Sequence, residues 1–535
     1  MKKNISRLTG LALAACMTVS GISPAYAAAP EVPEGIKNVI FMIPDGTSIG
    51  ALTLSRYMLP NNEKGETNLT LDAYSTALVK TRWANGPITD SAPSATAYST
   101  GEKSLNGALG MDANKKPRAT LLEAAKAAGK STGLIATCEF MHATPAAFSS
   151  HVESRKDYAN IAEQMLNQNV DVVLSAGFGK VEPAVLDIRQ TALNNGYQIV
   201  ETLDTMNAAQ AGKIWGNFDD DDIPNDYDRA ADDPSLSDMT KKALDVLSKN
   251  DNGFFLMVEG SKIDWAAHSN DPVGIVSETL AYDRAFKTAL DFASGRTDTV
   301  IISVTDHSNS GISIGNADNN PGYDSAPDSI LDPIRMAKIT EVGAIKRIEN
   351  GESINSVLTA YGINPAGYTA KESDHSTLKK VYPKVNEAIS KFRSEPTEAN
   401  LAAIMSDLCF IGFTTGGHTA EDVPLYIYAP NMEKRPHGLI DNTDVNKYAA
   451  QCLGFDLNKL TKELFVEVNS AALPGCDIKL EGKTLTVTNG DKVSTVDANK
   501  SAAFVNNGTF MTLPGVAVLM DGRFYVPQAF IDAVK

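Results

Sequence analysis

Short apolar runs alternate with amphipathic helical patterns through most of the chain. The runs are rich in β-branched residues, and those that most clearly predict strands are Asn38–Ile43, Ser131–Thr137, Asp171–Ser175, Phe254–Val258, Thr299–Val304 and Leu425–Tyr428. Apolar positions with a helical period lie between them, at Ala119–Ala128, Ala159–Leu166, Ser237–Ser248 and Val273–Ala293. This alternation predicts an α/β fold, a three-layer sandwich in which helices flank a central, mostly parallel sheet.

Two long segments interrupt the alternation. Asp219–Asp238 contains nine aspartates, four of them consecutive. We interpret it as a solvated acidic loop; a calcium site is the alternative, although the spacing is not that of an EF-hand loop. The second interruption, Asn316–Ser406, consists of turns followed by helical patterns, and we expect it to form an inserted cap region.

The pattern changes again from about Glu467. Ile478–Thr488 and Val516–Val526 alternate like exposed antiparallel strands, with Gly and Asn at the turns. A short helix is predicted at Gln528–Val534. We therefore divide the chain into a large domain at 28–465, with the insertion at about 316–406, and a small β-rich C-terminal domain at 466–535.

The N-terminus has the features of a bacterial export signal. Basic residues precede the apolar run Leu8–Ser20, and Ala25–Ala27 has the small residues of a cleavage site. We predict that 1–27 is a signal peptide and that the protein is exported to the periplasm, the cell envelope or the medium. Leu13–Cys16 also resembles a lipoprotein box, so lipid anchoring at Cys16 is the alternative. No later apolar stretch is long enough to span a bilayer.

Composition restricts the class of partner. The 535 residues include 48 Lys+Arg and 65 Asp+Glu, for a formal charge of −17. Removal of residues 1–27 takes away three basic residues and no acidic residue, so the charge becomes −20. This acidic balance argues against nucleic-acid binding through a broad basic face, but it allows a locally positive site.

Four cysteines follow residue 27, namely Cys138, Cys409, Cys452 and Cys476. An exported protein can form disulfides, but four cysteines allow three sets of pairs and the spacing selects none of them. The sequence has no CxxC motif, so we do not expect a structural zinc site built from thiolates.

Acidic and imidazole side chains follow three of the predicted strands. Asp45 comes shortly after the first strand, Glu259 follows Phe254–Val258, and Asp306 and His307 follow Thr299–Val304. In a doubly wound sheet, ligands bind beyond the carboxyl ends of the strands, so these side chains are expected at one edge. Acids are common at the starts of loops and no single one is specific, but together they indicate a metal site.

A further pair of candidate ligands lies on a helical segment. Asp264 and His268 are four residues apart and therefore share one face of a helix. A carboxylate and an imidazole on that face suit one zinc ion, which needs another ligand from elsewhere. His418, in the Gly-rich segment Thr414–Asp422, is our candidate. An Asp–His pair on a helix surface is otherwise common, so the acids at the strand ends are what favour metal binding here.

A candidate nucleophile lies in the run of small residues Thr89–Ala97, where Ser91 is predicted to begin a helix. Backbone amides at a helix N-terminus stabilise a phosphate, and small neighbours let it approach. A serine that attacks phosphorus needs a lowered pKa, which metal coordination can supply without a histidine base. A polar helix N-cap explains the same local sequence equally well, and both interpretations stay open.

Five separated motifs resemble those of the alkaline phosphatase family in order and in residue type, over roughly residues 36–460. They are Asp45-Gly46, Asp90-Ser91-Ala92, Glu259-Gly260 with Asp264 and His268, Asp306-His307, and His418-Thr419. The resemblance implies the hydrolysis of phosphate monoesters, small-molecule substrates, through a phosphoserine formed on Ser91.

The resemblance also implies a site with two zinc ions and one magnesium ion. The residues that match its ligands are Asp264, His268 and His418 for the first zinc; Asp45, Asp306, His307 and Ser91 for the second; and Asp45, Thr144 and Glu259 for magnesium. Arg155 matches the arginine that grips the substrate phosphate, which a guanidinium can do with two parallel hydrogen bonds.

Two positions depart from the pattern of some family members. His142 stands where some have an aspartate, and Trp265 follows Asp264 where others have lysine or histidine. We expect both side chains to lie beside the metal ligands; metal binding by His142 and simple packing are the alternatives. The departures leave the third ion open between magnesium and zinc.

Other functions on the same scaffold are alternatives. Phosphodiesterases of this superfamily often use threonine as the nucleophile and lack the third metal site, which Ser91 with Thr144 and Glu259 argues against. A sulfatase needs a formylglycine-type motif, and Cys138 does not lie in one. A hypothesis outside the enzymes is a surface protein that binds metal but does not catalyse a reaction.

The resemblance suggests two kinds of partner, a second copy of the chain and the cell envelope. Family members are frequently homodimers, so a second copy of the chain is one. The C-terminal segment is similar, at Gly522–Pro527, to copper amine oxidase N-terminal-like domains, but it has no histidine for a copper site. For this domain, association with the cell envelope or cell wall, binding to another subunit and no binding at all stay open.

Overall fold

The computed structural model describes residues 31–61, 67–320, 322–369 and 376–535. The predicted signal peptide 1–27 and Cys16 lie outside the described residues. A sheet of ten strands forms the centre of the large body, and short two-stranded ribbons lie beside it. The strands of the body are β1 (Asn38–Pro44), β2 (Ser75–Lys80), β3 (Ser131–Glu139), β4 (Val172–Ala176), β5 (Gln198–Val200), β6 (Ile214–Asn217), β7 (Phe254–Gly260), β8 (Thr299–Val304), β9 (Ser308–Asn309), β10 (Ser313–Ile314), β11 (Ile411–Gly412), β12 (His418–Thr419), β13 (Val423–Tyr428) and β14 (Gly438–Asp441).

The order of the central sheet is β14-β2-β13-β8-β1-β7-β3-β4-β6-β5. All six strands predicted from the sequence are present, as β1, β3, β4, β7, β8 and β13, which confirms the mostly parallel sheet. β13 runs antiparallel to both of its neighbours, β2 and β8. The sequence did not identify β2, β5, β6 or β14, which lie toward the two edges of the sheet.

Helices cover both faces of the sheet and form the cap and the chain end. They are α1 (Ile49–Tyr57), α2 (Ser91–Thr100), α3 (Leu121–Ala127), α4 (Ala143–Ala146), α5 (Tyr158–Gln168), α6 (Ile188–Asn194), α7 (Leu203–Ala208), α8 (Leu236–Leu247), α9 (Lys262–His268), α10 (Pro272–Ala293), α11 (Asp332–Met336), α12 (Glu341–Glu349), α13 (Ile354–Ala360), α14 (Ser376–Ser394), α15 (Glu398–Cys409), α16 (Asn442–Leu453), α17 (Leu457–Leu464) and α18 (Gln528–Val534). The four helical patterns singled out in the sequence correspond to α3, α5, α8 and α10.

The strand β1 shows why its sequence is apolar at nearly every position. Val39 and Phe41 pack into one hydrophobic cluster, with side chains of α2, α3, α5 and α16. Ile40 and Met42 point the other way, into a second cluster with α8 and α10. Successive side chains of a strand face opposite sides of the sheet, so a strand covered on both faces must be apolar throughout.

The inserted segment packs as a cap on one end of the body. Helices α11 to α14 and most of α15 lie within it, together with three short 3₁₀ helices at Ala317–Asn319, Tyr323–Ser325 and Asp328–Leu331. Their apolar side chains share a cluster with α1, α9 and the start of α10. The cap is therefore attached to α9, the helix that carries Asp264 and His268.

The C-terminal region is β-rich, as predicted. Its strands are β15 (Val466–Glu467), β16 (Asp477–Glu481), β17 (Thr484–Asn489), β18 (Lys492–Asp497), β19 (Ala502–Val505), β20 (Thr509–Thr512), β21 (Val518–Met520) and β22 (Arg523–Val526). β16 to β20 form a five-stranded antiparallel sheet, and β15, β22 and β21 form a second sheet. The expectation of exposed strands is wrong for Val516–Val526: Val516, Val518 and Met520 are buried, because they pack against the body.

The acidic segment Asp219–Asp238 is more than a solvated loop. Asp222 pairs with Lys262, Asp226 accepts hydrogen bonds from two arginines, and Asp228 accepts a hydrogen bond from Thr340 in the cap. Several of these carboxylates therefore anchor neighbouring elements to one another.

The four cysteines of the described part of the chain are all free thiols, and three of them are buried. None of the three sets of disulfide pairs that the sequence allows is therefore formed among these four cysteines. Among the described residues, no helix combines the length and apolar composition needed to cross a membrane.

Trp215 tests the packing of this body. Its indole is fully buried, with ring centroids 5.0 Å from Phe140 and 5.2 Å from Tyr197. Trp215→Ala removes these contacts and leaves a cavity, so we expect the free energy of unfolding to fall by about 3–5 kcal/mol. Urea unfolding followed by circular dichroism measures it. Trp215→Phe, which keeps an aromatic ring, is the matched control with a smaller loss; equal losses would contradict the packing argument.

Candidate active site

Three carboxylates meet at one edge of the central sheet. Asp45 follows β1, Glu259 lies near the end of β7, and Asp306 follows β8. β1 pairs in parallel with both β7 and β8, and Ile43 lies opposite Glu259 in that register. All three side chains are fully buried. The sheet thus brings together the strand-end acids singled out in the sequence.

Gly46 allows a fourth carboxylate, Asp264, to approach. Gly46 has a φ of +66°, and a Cβ atom there would lie 2.5 Å from Asp264 Oδ1 and 2.7 Å from its Cα. Its backbone N–H donates to Asp306 Oδ1 over 3.2 Å. Only glycine fits this conformation and this close approach, so the turn after β1 can lie directly against α9.

Asp264, His268 and His418 form one group of donors. His268 Nε2 is 3.4 Å from Asp264 Oδ2, and His418 Nε2 is 3.6 Å from Asp264 Oδ1. The Nδ1 atoms lie 2.8 Å from the carbonyl oxygens of Gly416 and Thr89, respectively. In the neutral form of each ring, Nδ1 carries the hydrogen that this carbonyl accepts, and Nε2 then has a lone pair.

The two Nε2 atoms of this group are only 3.1 Å apart. Two lone pairs at that separation repel each other unless a proton or a cation lies between or beside them. Hydrogen bonding of Nδ1 to a backbone carbonyl is also the arrangement that orients metal-binding histidines. The group therefore fits a divalent cation.

Asp45, Asp306 and His307 form a second group, and Ser91 lies beside it. His307 Nε2 is 3.1 Å from Asp306 Oδ2 and 3.6 Å from Asp45 Oδ1. Ser91 Oγ is 3.2 Å from the same Nε2 atom. Ser91 is the first residue of α2, as predicted, and Asp90 occupies the N-cap. The serine hydroxyl is thus buried between a helix N-terminus and an imidazole.

A third group surrounds Glu259. Thr144 Oγ1 lies 3.5 Å from Asp45 Oδ2, and Cys138 Sγ lies 3.7 Å from Glu259 Oε2. Together with His142, Cys138 and Glu259 have donor atoms within 4.8 Å of one another. Sequence reasoning did not assign Cys138 to the site. Its position near the carboxyl end of β3 was the available signal, since β3 pairs with β7.

Arg155 lies close to the nucleophile. Its guanidinium hydrogen-bonds to Asp90, the residue before Ser91, and its Nη2 atom is 2.7 Å from His142 Nε2. The His142 ring is in turn 6.0 Å from the Trp265 ring in an edge-to-face arrangement. Trp265 therefore lies beside the ligand groups, whereas His142 both bonds to Arg155 and offers a donor atom to the group around Glu259. The pairing with Asp90 was not foreseen, because it depends on a long-range contact.

Burial and mutual repulsion raise the pKa values of two of the carboxyls. Burial, followed by the charges of Asp306, Asp264 and Glu259, raises the pKa of Asp45 well above its usual range. Burial and the charge of Asp306 raise the pKa of Glu259 to about 8. The site thus holds more negative charge than its own side chains neutralise.

The histidines compensate part of this charge. Burial opposes ionisation of Asp264, but the hydrogen bond from His268 and the charges of the neighbouring histidines bring its pKa below the usual range. Burial lowers the pKa of His307, but the charge of Asp306 and their hydrogen bond outweigh it and raise the pKa to about 9. Burial and the charge of Arg155 lower the pKa of His142 to about 4, so this ring is neutral near pH 7.

Unpaired oxygens show that the donor set fits metal ions. Asp45 Oδ1 and Glu259 Oε1 are buried, and within the described residues neither has a hydrogen-bond partner. Such atoms are costly unless a cation binds them. Two clusters combine carboxylate and imidazole atoms within 4.8 Å, Asp45 with Asp306 and His307, and Asp264 with His307 and His418. His307 thus lies between two groups, and clusters of oxygen and nitrogen donors of this kind suit a divalent cation.

Comparisons with known proteins give one consistent result. A family model described as alkaline phosphatase matches residues 36–455. Alkaline phosphatase 3 of Bacillus subtilis (strain 168) is 35% identical over 475 residues, which cover 85% of this chain and 99% of that protein.

Two solved structures are similar over most of the fold. A cold-active alkaline phosphatase from Shewanella sp. superimposes with a TM-score of 0.67 and 31% identity, covering 78% of this chain and 99% of the other. The alkaline phosphatase of Thermus thermophilus gives a TM-score of 0.68 at 25% identity, covering 83% and 96%. The matched family segment contains every candidate site residue, from Asp45 to His418.

Asp45→Asn tests the balance of charge in the site. In metal-free protein prepared with a chelator, the substitution replaces a carboxyl whose ionisation is opposed by burial and by the neighbouring acids, so we expect the variant to be at least as stable as the natural chain. When zinc and magnesium are added, the natural chain should gain more in thermal midpoint, because it keeps the anionic ligand. Differential scanning fluorimetry with and without metal measures both effects.

Asp283→Asn is the matched control, since this buried carboxylate lies outside the site and accepts hydrogen bonds from the amides of Thr70 and Leu71. It should lower stability equally with and without metal. A chelator-treated Asp45→Asn variant less stable than the natural chain would contradict the account.

Proposed function

The chain belongs to the alkaline phosphatase family and hydrolyses phosphate monoesters, and we propose that it does so through a phosphoserine formed on Ser91. The observation that carries the proposal is the position of Ser91 Oγ, buried at the start of α2 and 3.2 Å from His307 Nε2. Backbone N–H groups at that helix terminus can also hold the phosphate oxygens.

Two displacements make up the proposed reaction. Ser91 Oγ attacks phosphorus, the bond between phosphorus and the alcohol oxygen breaks, and the alcohol leaves after taking up a proton. A water molecule then attacks the phosphoserine, the Ser91 hydroxyl is restored and inorganic phosphate leaves. Splitting the hydrolysis in this way replaces one difficult step by two easier ones.

Divalent ions would complete the site. The residues that would hold them are Asp264, His268 and His418 for one zinc ion; Asp45, Asp306 and His307 for a second; and Asp45, Thr144 and Glu259 for a third ion, magnesium or in its place zinc. When bound, such ions lower the pKa of hydroxyl groups and stabilise negative charge on phosphate oxygens. The positions of these side chains determine where the ions would stabilise the negative charge of the phosphate.

Arg155 is the proposed phosphate-binding residue. Its planar guanidinium can donate two parallel hydrogen bonds to a phosphate, a geometry that an ammonium group lacks. Asp90 accepts a hydrogen bond from this guanidinium and directly precedes Ser91. We propose that Asp90 thereby keeps the guanidinium on the side of the site where the nucleophile lies.

Export and assembly are proposals of the same kind. The basic N-terminus, the apolar run and Ala25–Ala27 support export by a signal peptide at 1–27, with the mature protein in the periplasm, the envelope or the medium. Family resemblance supports a homodimer. The similarity at the short segment Gly522–Pro527 supports envelope association through the C-terminal domain.

Substitution of Ser91 tests the nucleophile. Ser91→Ala removes the attacking oxygen and no metal-binding carboxylate or imidazole, so turnover of an aryl phosphate should fall about 1,000-fold or more. Metal analysis should find the metal content unchanged. The control is Ser99→Ala on the same helix, whose hydroxyl donates to the carbonyl of Ala147 and should be dispensable for turnover. A Ser91→Ala variant with near-normal turnover would disprove the phosphoserine route.

Substitution of Arg155 tests phosphate binding. Arg155→Lys keeps the positive charge but removes the fork, so the inhibition constant of inorganic phosphate should rise about tenfold. Competition by phosphate against an aryl monoester measures this constant. Lys156→Ala, at the next and exposed position, is the control and should leave the constant unchanged. Unchanged phosphate affinity in Arg155→Lys would remove Arg155 from the proposed site.

A further inference from the structure

The C-terminal region is packed against the part of the body that supports Arg155. Val518, Met520 and Tyr525 share a buried apolar cluster with Ala108 and Met111 of the body. Phe465, which belongs to the same cluster, has its ring centroid 4.6 Å from that of the buried His151. The contact is therefore a close-packed seam, and it fixes how this face of the body meets the C-terminal region.

The main chain at Arg155 is attached to the same supporting segment. Arg155 lies in a turn between the bridge residue Val152 and helix α5. Its backbone N–H donates to the carbonyl of Gly107 over 2.7 Å, and Leu109 and Val152 exchange backbone hydrogen bonds of 2.9 and 3.2 Å. The segment that carries the guanidinium thus rests on residues next to those covered by the C-terminal region.

The hairpin between β21 and β22 also contacts the arginine segment directly. The backbone N–H of Asp521, at the turn of this hairpin, donates to Glu153 Oε1 over 2.7 Å. Lys115 donates to Glu153 Oε2 over 2.7 Å and lies 3.5 Å from Asp521 Oδ1. Glu153 is two residues before Arg155, so its two carboxylate oxygens connect the arginine segment to both sides of the seam.

A buried amide pair makes a second connection. Asn499 of the C-terminal region is 4% exposed, and its Oδ1 atom accepts a hydrogen bond of 3.0 Å from Gln164 Nε2. Gln164 in turn accepts from the backbone N–H of His151 over 2.8 Å and donates to its carbonyl over 3.0 Å. The C-terminal region thereby holds the main chain four residues before Arg155.

We propose that the C-terminal region positions Arg155 for phosphate binding, with Glu153 and Asn499 as the positioning residues. The proposal rests on the proposed role of Arg155. A bidentate hydrogen-bond pair tolerates little displacement, so the segment must be held in place before the phosphate arrives. The C-terminal region supplies this from outside the family-matched segment, which ends at residue 455.

Because Glu153 is partly exposed, its substitution can change the position of the arginine segment without a large effect on folding stability. Its side chain is 40% exposed, as are those of its partners, and ion pairs of this kind contribute little to the free energy of folding. Loss of the carboxylate charge should therefore leave the folded state intact and act mainly on where the arginine segment lies.

The test uses the full-length protein loaded with zinc and magnesium, with inorganic phosphate as the probe. Glu153→Gln should raise the inhibition constant of phosphate about threefold. The double variant Glu153→Gln with Asn499→Ala should raise it about tenfold, because a buried hydrogen bond is also lost. The KM of an aryl monoester should rise in parallel while kcat and metal content change little.

Lys483→Gln is the matched control. Lys483, in the C-terminal region, donates hydrogen bonds to Asn160 and Glu163 of α5 across the same seam, and its side chain is 53% exposed. Within the described residues it bonds to neither Glu153 nor Asn499, so the variant should leave the phosphate constant unchanged. Equal weakening by Lys483→Gln would overturn the proposal, because it would indicate general loosening of the seam.

Arg155→Lys separates failure of this inference from failure of the proposed function. If Arg155→Lys weakens phosphate binding and the double variant at Glu153 and Asn499 does not, the positioning role is wrong and the function of Arg155 stands. If Arg155→Lys leaves phosphate binding unchanged, the proposed role of Arg155 fails and the inference fails with it.

Discussion

The burial of four carboxylates within one small region is the constraint on which the site depends. Asp45, Glu259, Asp264 and Asp306 lie at the edge of the sheet, where low exposure to water makes their mutual repulsion strong. Such an arrangement is unstable unless cations compensate it, and His307 with its neighbours supplies only part of the charge. Metal ions account for the positive charge that is still needed, since the chain belongs to the alkaline phosphatase family, whose members are metal-dependent enzymes. The overall charge of −17 gave no indication of this local demand for cations.

The rest of the fold serves to hold these groups at fixed distances. The parallel strands β1, β7 and β8 end at the same edge, and their hydrogen-bonded register leaves little freedom for the residues that follow. The cap packs on α9, which carries two more donors, and the C-terminal region packs under the segment that carries Arg155. A site built in this way has its geometry largely set before the ions and the substrate bind.

Sequence patterns predicted the structure correctly where the residues of a single segment determine its conformation and burial. Strands covered on both faces are apolar at most positions, which is why β1 and β8 could be predicted, and short strands toward the sheet edges, such as β5, were missed. The strand-end rule brought Asp45, Glu259 and Asp306 together correctly. Contacts that join distant parts of the chain could not be predicted from residue spacing: Cys138 beside Glu259, Asp90 beside Arg155, and the burial of Val516–Val526 against the body.

Crystallography with anomalous scattering at the zinc absorption edge tests the central claim most directly. For crystals grown with zinc and magnesium, we expect two strong peaks in the anomalous difference map. One should lie within bonding distance of Asp264, His268 and His418, and the other within bonding distance of Asp45, Asp306 and His307. A structure at the same metal concentrations with no divalent ion at either position would contradict this claim.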